Sequence, residues 1–270
     1  MSKELIEWRE KNLNKISKSF CAAKWYNASI HLGHGFTGSC HLPLPHPIDL
    51  EEIKTNPSAI HNTKHKKQMR KMMLKGVRPA ECSYCWKIED IGRDNISDRV
   101  YKTVIYEDKD LDTAATLDPQ FDVNLKTLEI AFNRTCQLAC SYCNPAFSST
   151  WVKDIRNNGP YTGLVSDGRN HFTHTHDSSQ LYKFNEVNPY VEAFFKWWQT
   201  DLHKTLKELR ITGGEPLMNP GAMQFFDLLE KEPAPNLEIT LNSNLGVSFA
   251  KVDALIAVSY THLTLPTNRE

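Results

Sequence analysis

The chain has 270 residues, with 40% hydrophobic and 24% charged residues, so collagen-like and disordered classes are excluded. Lys+Arg and Asp+Glu both number 32, and a zero formal net charge argues against binding nucleic acid through a whole-domain positive field. No apolar run approaches the roughly 20 residues that span a bilayer. The N-terminus, MSKELIEWREKNLNKISKSF, is charged and helical rather than a secretory leader, which predicts a cytoplasmic protein without membrane or nucleic-acid partners.

Residues 1–100 read as a Cys-, His- and Pro-containing domain. It includes the loop-rich stretch GHGFTGSCHLPLPHP and a basic helix, HNTKHKKQMRKMMLKG. The face of Lys64 to Lys75 is expected to be solvated, with Met69, Met72 and Met73 forming its apolar side. The acidic stretch YEDKDLDTAATLDPQFD, within 101–124, reads as a linker.

From residue 125 a strand–helix grammar begins. LKTLEIAF is a β-branched apolar run, and NPYVEAFFKWWQTDLHKTL places Val191, Phe194, Phe195, Trp198 and Leu202 on one helical face. Trp197 and Trp198 are expected in the core. ELRITGGEP is a second strand and turn, GAMQFFDLLEKEP a second helix, and LEITLNSNLG a third strand. Such alternation predicts βαβ units and a parallel sheet, an α/β fold. Between Arg156 and Asn188 lies a long polar stretch carrying His171, His174 and His176, read as a solvated cluster on an insertion that could close over a substrate.

The polar motifs sit directly after the strands. Cys136, Cys140 and Cys143 follow the first, Gly213, Gly214, Glu215 and Pro216 the second, and Asn242, Ser243 and Asn244 the third. Loops at the C-terminal ends of parallel strands share one face, where active sites sit. Seven cysteines, an odd number, point to metal or redox chemistry rather than a disulfide framework. Three thiolates in one loop leave a metal position open, or a distant His closes a zinc site. The strand context and GGEP favour the open site.

CxxxCxxC with Tyr142 before its last cysteine, followed by GGEP, resembles the signature of the radical S-adenosylmethionine (SAM) enzymes over roughly 125–246. The resemblance implies a [4Fe–4S] cluster on Cys136, Cys140 and Cys143, with the amino and carboxylate groups of SAM on the fourth iron. It places the GGEP backbone against the SAM amino group and Asn242 and Asn244 near the ribose. It implies reductive SAM cleavage to a 5′-deoxyadenosyl radical, fed by a flavodoxin- or ferredoxin-type electron donor. No side chain is assigned a catalytic acid or base role. The fold implied is the first half of a partial (β/α)6 barrel.

Cys21, Cys40, Cys82 and Cys85 form a separate four-thiolate set, suited to zinc or a fully ligated iron–sulfur cluster. FCAAKW, the approach to Cys40 and the helix before CSYC are similar to a Twitch or SPASM-type auxiliary-cluster domain, here preceding the core. The family's Pro before Trp is replaced by Lys24. The resemblance implies an auxiliary [4Fe–4S] cluster and a peptide or protein side chain as substrate. A nucleotide or tRNA-related small molecule is the alternative, and a non-catalytic zinc-binding module is the rival of another class.

The segment VSYTHLTLPTNRE, 258–270, resembles the translation of a sequencing-library adaptor and is left out of the fold reasoning. The natural chain is therefore expected to continue past Ala257, and a half-barrel with an open sheet edge to be poorly soluble.

Overall fold

In the computed structural model, residues 2–92, 94–165, 171–173, 182, 186–257 and 263–264 are described. They fall into two compact units. The first comprises 1–29, 37–127 and 197–205; the second comprises 30–36, 128–196 and 206–270. No described helix is long and apolar enough to cross a membrane. His174 and His176 lie outside the described residues.

The first unit opens with α1 (Ser2–Trp8) and α2 (Ala23–Tyr26), followed by β1 (Asn27–His31), whose last two residues belong to the second unit. β2 (Phe36–Gly38, Thr37 onward in this unit) and β3 (His46–Pro47) follow, in the sheet order β3-β2-β1. Next come α3 (Leu50–Thr55), α4 (Lys64–Leu74), α5 (Ser83–Ile91), α6 (Asp98–Tyr101) and α7 (Asp108–Thr116). The core gathers Phe20, Trp25, Met73, Trp86, Val100 and Leu111.

Two expectations are corrected here. The stretch 101–124 is not a linker. Glu107 and Asp110 form a reciprocal capping box that starts α7, and Leu111 and Ala114 are buried in the core. The face that α4 buries is also not formed by Met69, Met72 and Met73 together: of these only Met73 is buried, beside two cations. Lys66 and Arg70 are both 0% exposed, two turns and one turn ahead of buried Met73.

Polar partners explain that burial. Arg70 donates from Nε to the Lys24 carbonyl at 3.0 Å and from Nη2 to Asn62 Oδ1 at 3.1 Å. Lys66 Nζ donates to Thr37 Oγ1 at 2.9 Å and lies 3.2 Å from His61 Nδ1. His61 stacks on Trp197 with ring centroids 6.0 Å apart, and Trp197 Nε1 donates to Asn124 Oδ1. Burial, then the charges of Arg70 and Lys24, push the Lys66 ammonium pKa well below 10.5.

The second unit carries the sheet order β1-β4-β5-β6-β7, with β4 (Thr127–Ala131, Leu128 onward in this unit), β5 (Glu208–Thr212), β6 (Glu238–Leu241) and β7 (Leu263–Thr264). β5 and β6 are parallel, Leu209 opposite Ile239 and Ile211 opposite Leu241. β6 and β7 are also parallel. This is the mixed α/β, parallel-sheet class expected. The two residues of β7 fall in the segment left out of the sequence reasoning.

Alternation fixes which way each strand faces. On β5 Leu209 and Ile211 are buried while Glu208 and Arg210 are exposed, and on β6 Ile239 and Leu241 are buried. The helices are α8 (Ser149–Asn158), α9 (Pro189–Thr200, through Lys196 in this unit), α10 (Pro220–Lys231) and α11 (Phe249–Ala257). Phe194 meets Phe132 edge-on at 5.6 Å and Phe225 at 5.5 Å. Each such aromatic pair adds about 0.5–1.5 kcal/mol beyond its area burial.

β1 was not expected as a strand. Asn27-Ala-Ser-Ile-His alternates polar and apolar, with Ala28 and Ile30 fully buried. The Leu32 N–H donates to the Ala131 carbonyl at 2.8 Å. The turn after β1, Gly33–Gly35, therefore lies beside the loop after β4, and a Cβ on Gly33 would stand 3.0 Å from Asn133 Cα.

Candidate cofactor sites

In the second unit, three loops meet at the C-terminal ends of β4, β5 and β6. The Cys136–Cys143 loop leaves β4 and is gripped by the N-terminus of α8. The Ser149 hydroxyl accepts from the Cys136 N–H at 3.1 Å and donates back to the Cys136 carbonyl at 3.0 Å. Ser148 donates to the Leu138 carbonyl at 2.7 Å, and the Trp151 indole to the Cys140 carbonyl at 3.0 Å. The loop backbone is thereby held while its three thiols stay partly open to solvent. Cys136 Sγ accepts from the Leu138 N–H at 3.4 Å. Burial raises the pKa of the Cys143 thiol.

The turn after β5 is built on two glycines in the left-handed region, Gly213 at φ 77° and Gly214 at φ 62°. A Cβ on Gly214 would stand 2.4 Å from the Thr135 carbonyl oxygen, so only glycine lets this turn approach the cysteine loop so closely. The Gly214 N–H donates to the Phe147 carbonyl at 2.9 Å and the Glu215 N–H to the Thr135 carbonyl at 2.7 Å. Pro216 follows, buried at the start of a short 3-10 turn.

The Glu215 side chain reaches the third loop. It is 1% exposed, and its carboxylate accepts from the Ser243 hydroxyl at 2.6 Å, the Asn244 N–H at 2.7 Å and the Leu217 N–H at 3.1 Å. The Asn244 side chain then returns to the cysteine loop. Its Oδ1 accepts from Gln137 Nε2 at 2.9 Å, and its Nδ2 lies 3.9 Å from Cys136 Sγ. The Asn242 N–H is used in the sheet edge, donating to the Ile211 carbonyl at 3.1 Å. Tyr142 is 75% exposed and joins none of these bonds.

In the first unit, Cys21, Cys40, Cys82 and Cys85 line one small cavity together with Lys24 and Arg99. Cysteines up to 64 residues apart in sequence, Cys21 and Cys85, are thus brought together by packing alone. Several donors face the sulfurs. The Thr103 hydroxyl lies 3.9 Å from Cys21 Sγ, and backbone N–H groups of Leu42 and Arg99 serve Cys40 and Cys85. Arg99 is anchored by a two-pronged bond to Glu89 at 2.8 and 2.9 Å.

Lys24 is buried against Glu81 in an ion pair, and Glu81 also meets His65. Burial pushes the Cys82 thiol up to about 12 and the Cys85 thiol up to about 11. At Cys82 the pull of the Lys24 ammonium outweighs the push of the Glu81 carboxylate. Thiolate ligands must shed these protons, so a bound cation and the donors around it have to supply the compensation.

The cysteine sets suit iron–sulfur clusters: soft sulfurs, three in one loop and four around one cavity that Asp98 also lines. Among the described residues no three His, Cys, Asp or Glu side chains are arranged to hold a single metal ion. A four-iron cluster makes a different demand, because each thiolate binds its own iron and the sulfurs need not converge on one point.

Sequence reasoning missed α8, although Ser-Ser-Thr-Trp at 148–151 is a helix-start cluster. It also missed His34, in the turn after β1. Its buried Nε2 has no hydrogen-bond partner, and burial with Arg134 and His31 nearby lowers its pKa to about 4, leaving a neutral ring. The alternation in β1 was the available signal. Comparison with protein-family models, curated proteins and solved structures finds no match to this chain.

Proposed function

We propose that the second unit is the cofactor-binding half of a radical SAM core, the first half of a partial (β/α)6 barrel. Cys136, Cys140 and Cys143 would hold a [4Fe–4S] cluster whose open iron takes SAM. Cys21, Cys40, Cys82 and Cys85 would hold an auxiliary [4Fe–4S] cluster. The observation that carries this reading is Glu215, whose N–H bonds the cysteine loop while its carboxylate bonds the Ser243–Asn244 loop. When bound, these groups supply one-electron cleavage of the SAM sulfonium and hydrogen abstraction from unactivated carbon.

The chain's own residues bind and orient. The N–H groups of Gly214 and Glu215 are spent on Phe147 and Thr135, and the carbonyls of Glu215 and Pro216 accept from Met218 and Asn219, so the carbonyls of Gly213 and Gly214 are the ones that would accept from an ammonium group. The Leu138 N–H and the Asn244 amide face Cys136 Sγ and offset its negative charge. Glu215 locks Asn244 in place, and the Asn242–Asn244 loop is where hydroxyls of a ribose would be met. The reading takes a peptide or protein side chain as substrate and a flavodoxin- or ferredoxin-type protein as electron donor, both by analogy with the family.

The test is anaerobic reconstitution followed by SAM and dithionite. 5′-Deoxyadenosine should form with the unaltered chain and vanish with Cys140→Ala. Zinc binding with no SAM cleavage would instead establish a metal-binding module. Deuterium passing from a labelled peptide into 5′-deoxyadenosine supports the peptide substrate; passage from a labelled nucleotide would replace it.

A further inference from the structure

Lys24 stands where a charged residue is least expected. It sits on the four-residue helix α2, almost fully buried, and lines the same cavity as the four cysteines. Burying an ammonium costs several kcal/mol unless it is paired. The Glu81 partner answers part of that cost, and Glu81 is itself shared with His65. The Lys24–Glu81 pair is therefore a fixed dipole beside the cavity, with its positive end, Lys24, in the lining together with Cys82, and Glu81 behind it.

Resting on the auxiliary-cluster reading above, we infer that Lys24 is an electrostatic tuning residue of the four-cysteine centre, raising its reduction potential by stabilising the reduced, more negative state. Net charge and hydrogen bonding around the sulfurs are among the terms that set an iron–sulfur potential. One electron enters from the flavodoxin- or ferredoxin-type donor, no bond breaks, and the added negative charge is met by an ammonium already in place. Of the cations lining this cavity, Arg99 is committed to Glu89 by its two-pronged bond and Lys102 is partly exposed, which leaves Lys24 as the buried ammonium of this wall. The role is one of positioning charge, not catalysis.

The experiment uses the full chain with Cys136, Cys140 and Cys143 replaced by Ala, so that only the four-cysteine centre is reconstituted. Iron and acid-labile sulfide are counted, and the midpoint potential is read by a spectroscopic redox titration. Lys24→Gln keeps an amide donor for Glu81 but removes the charge. At the parent's midpoint its reduced-to-oxidised ratio should fall at least tenfold, a shift of about 59 mV for a one-electron couple. Lys24→Arg should restore the parent value. Glu81→Gln removes the opposing charge and should move the midpoint the other way, which keeps the test open if Lys24→Gln does not fold.

A centre that forms with full iron and shows an unmoved midpoint in Lys24→Gln and Glu81→Gln overturns the tuning role alone. Zinc, or no iron, in the parent overturns the auxiliary-cluster reading and the tuning role with it.

Discussion

Ser243 donates its hydroxyl to Glu215 Oε1 at 2.6 Å, across 28 residues of sequence, and this bond joins the turn after β5 to the loop after β6. The Asn244 N–H takes the other carboxylate oxygen at 2.7 Å. A glutamate written into a turn motif is here a strut, not a solvent-facing group.

Glu215→Gln tests the strut. An amide has one acceptor oxygen where the carboxylate has two, so at least one of the three donors, Ser243, Asn244 and buried Leu217, loses its partner. The expected cost is about 1–3 kcal/mol of stability. Iron bound by the cysteine loop should be unchanged, while SAM affinity, read by equilibrium dialysis, should fall about tenfold. Equal loss of iron and SAM would show that Glu215 supports the cysteine loop generally.

Gly213 and Gly214 give a paired prediction. A Cβ on Gly213 would stand 2.4 Å from Ala131 Cβ, whereas one on Gly214 meets the Thr135 backbone. Each alanine also pays for a left-handed backbone, roughly 1–2 kcal/mol, and overpacking adds about 1–3 kcal/mol. Ala131→Gly should recover about 1–2 kcal/mol of the Gly213→Ala loss in a double-mutant cycle. It should recover nothing for Gly214→Ala. Denaturant midpoints of the three single and two double variants read both outcomes.

Lys66 predicts a stability change of the opposite sign. Its folded pKa lies well below the ordinary 10.5, so the unfolded chain binds a proton that the folded chain does not. Stability therefore rises with pH between the lowered value and 10.5. Lys66→Met should flatten that slope and stabilise the chain at pH 7 by about 1–3 kcal/mol, as replacing buried charged groups with apolar ones often does. Urea midpoints at pH 7, 8 and 9 decide it; an unchanged slope would contradict the account.

The sequence made β4, β5 and β6 readable because each pairs an apolar run with a motif at its end. Leu209 and Ile211 alternate with Glu208 and Arg210, a period that no helix shares. Lys66 and Arg70 were read as solvated on charge alone, although they fall in helical register with Met73. What buries them is a set of acceptors, the Lys24 carbonyl, Asn62 and Thr37, drawn from distant segments. α7 hid behind its acidic composition, yet Glu107 and Asp110 are what start it. The four-cysteine cavity was legible as a count of thiols, but the lysine in its wall acquires meaning only from the packing.

The most direct measurement is iron, acid-labile sulfide and zinc per chain after anaerobic reconstitution, for the unaltered chain and for Cys136, Cys140 and Cys143 replaced together. Two [4Fe–4S] centres require about eight irons, and the triple variant should keep about four. A chain that holds zinc and almost no iron would contradict the radical SAM account.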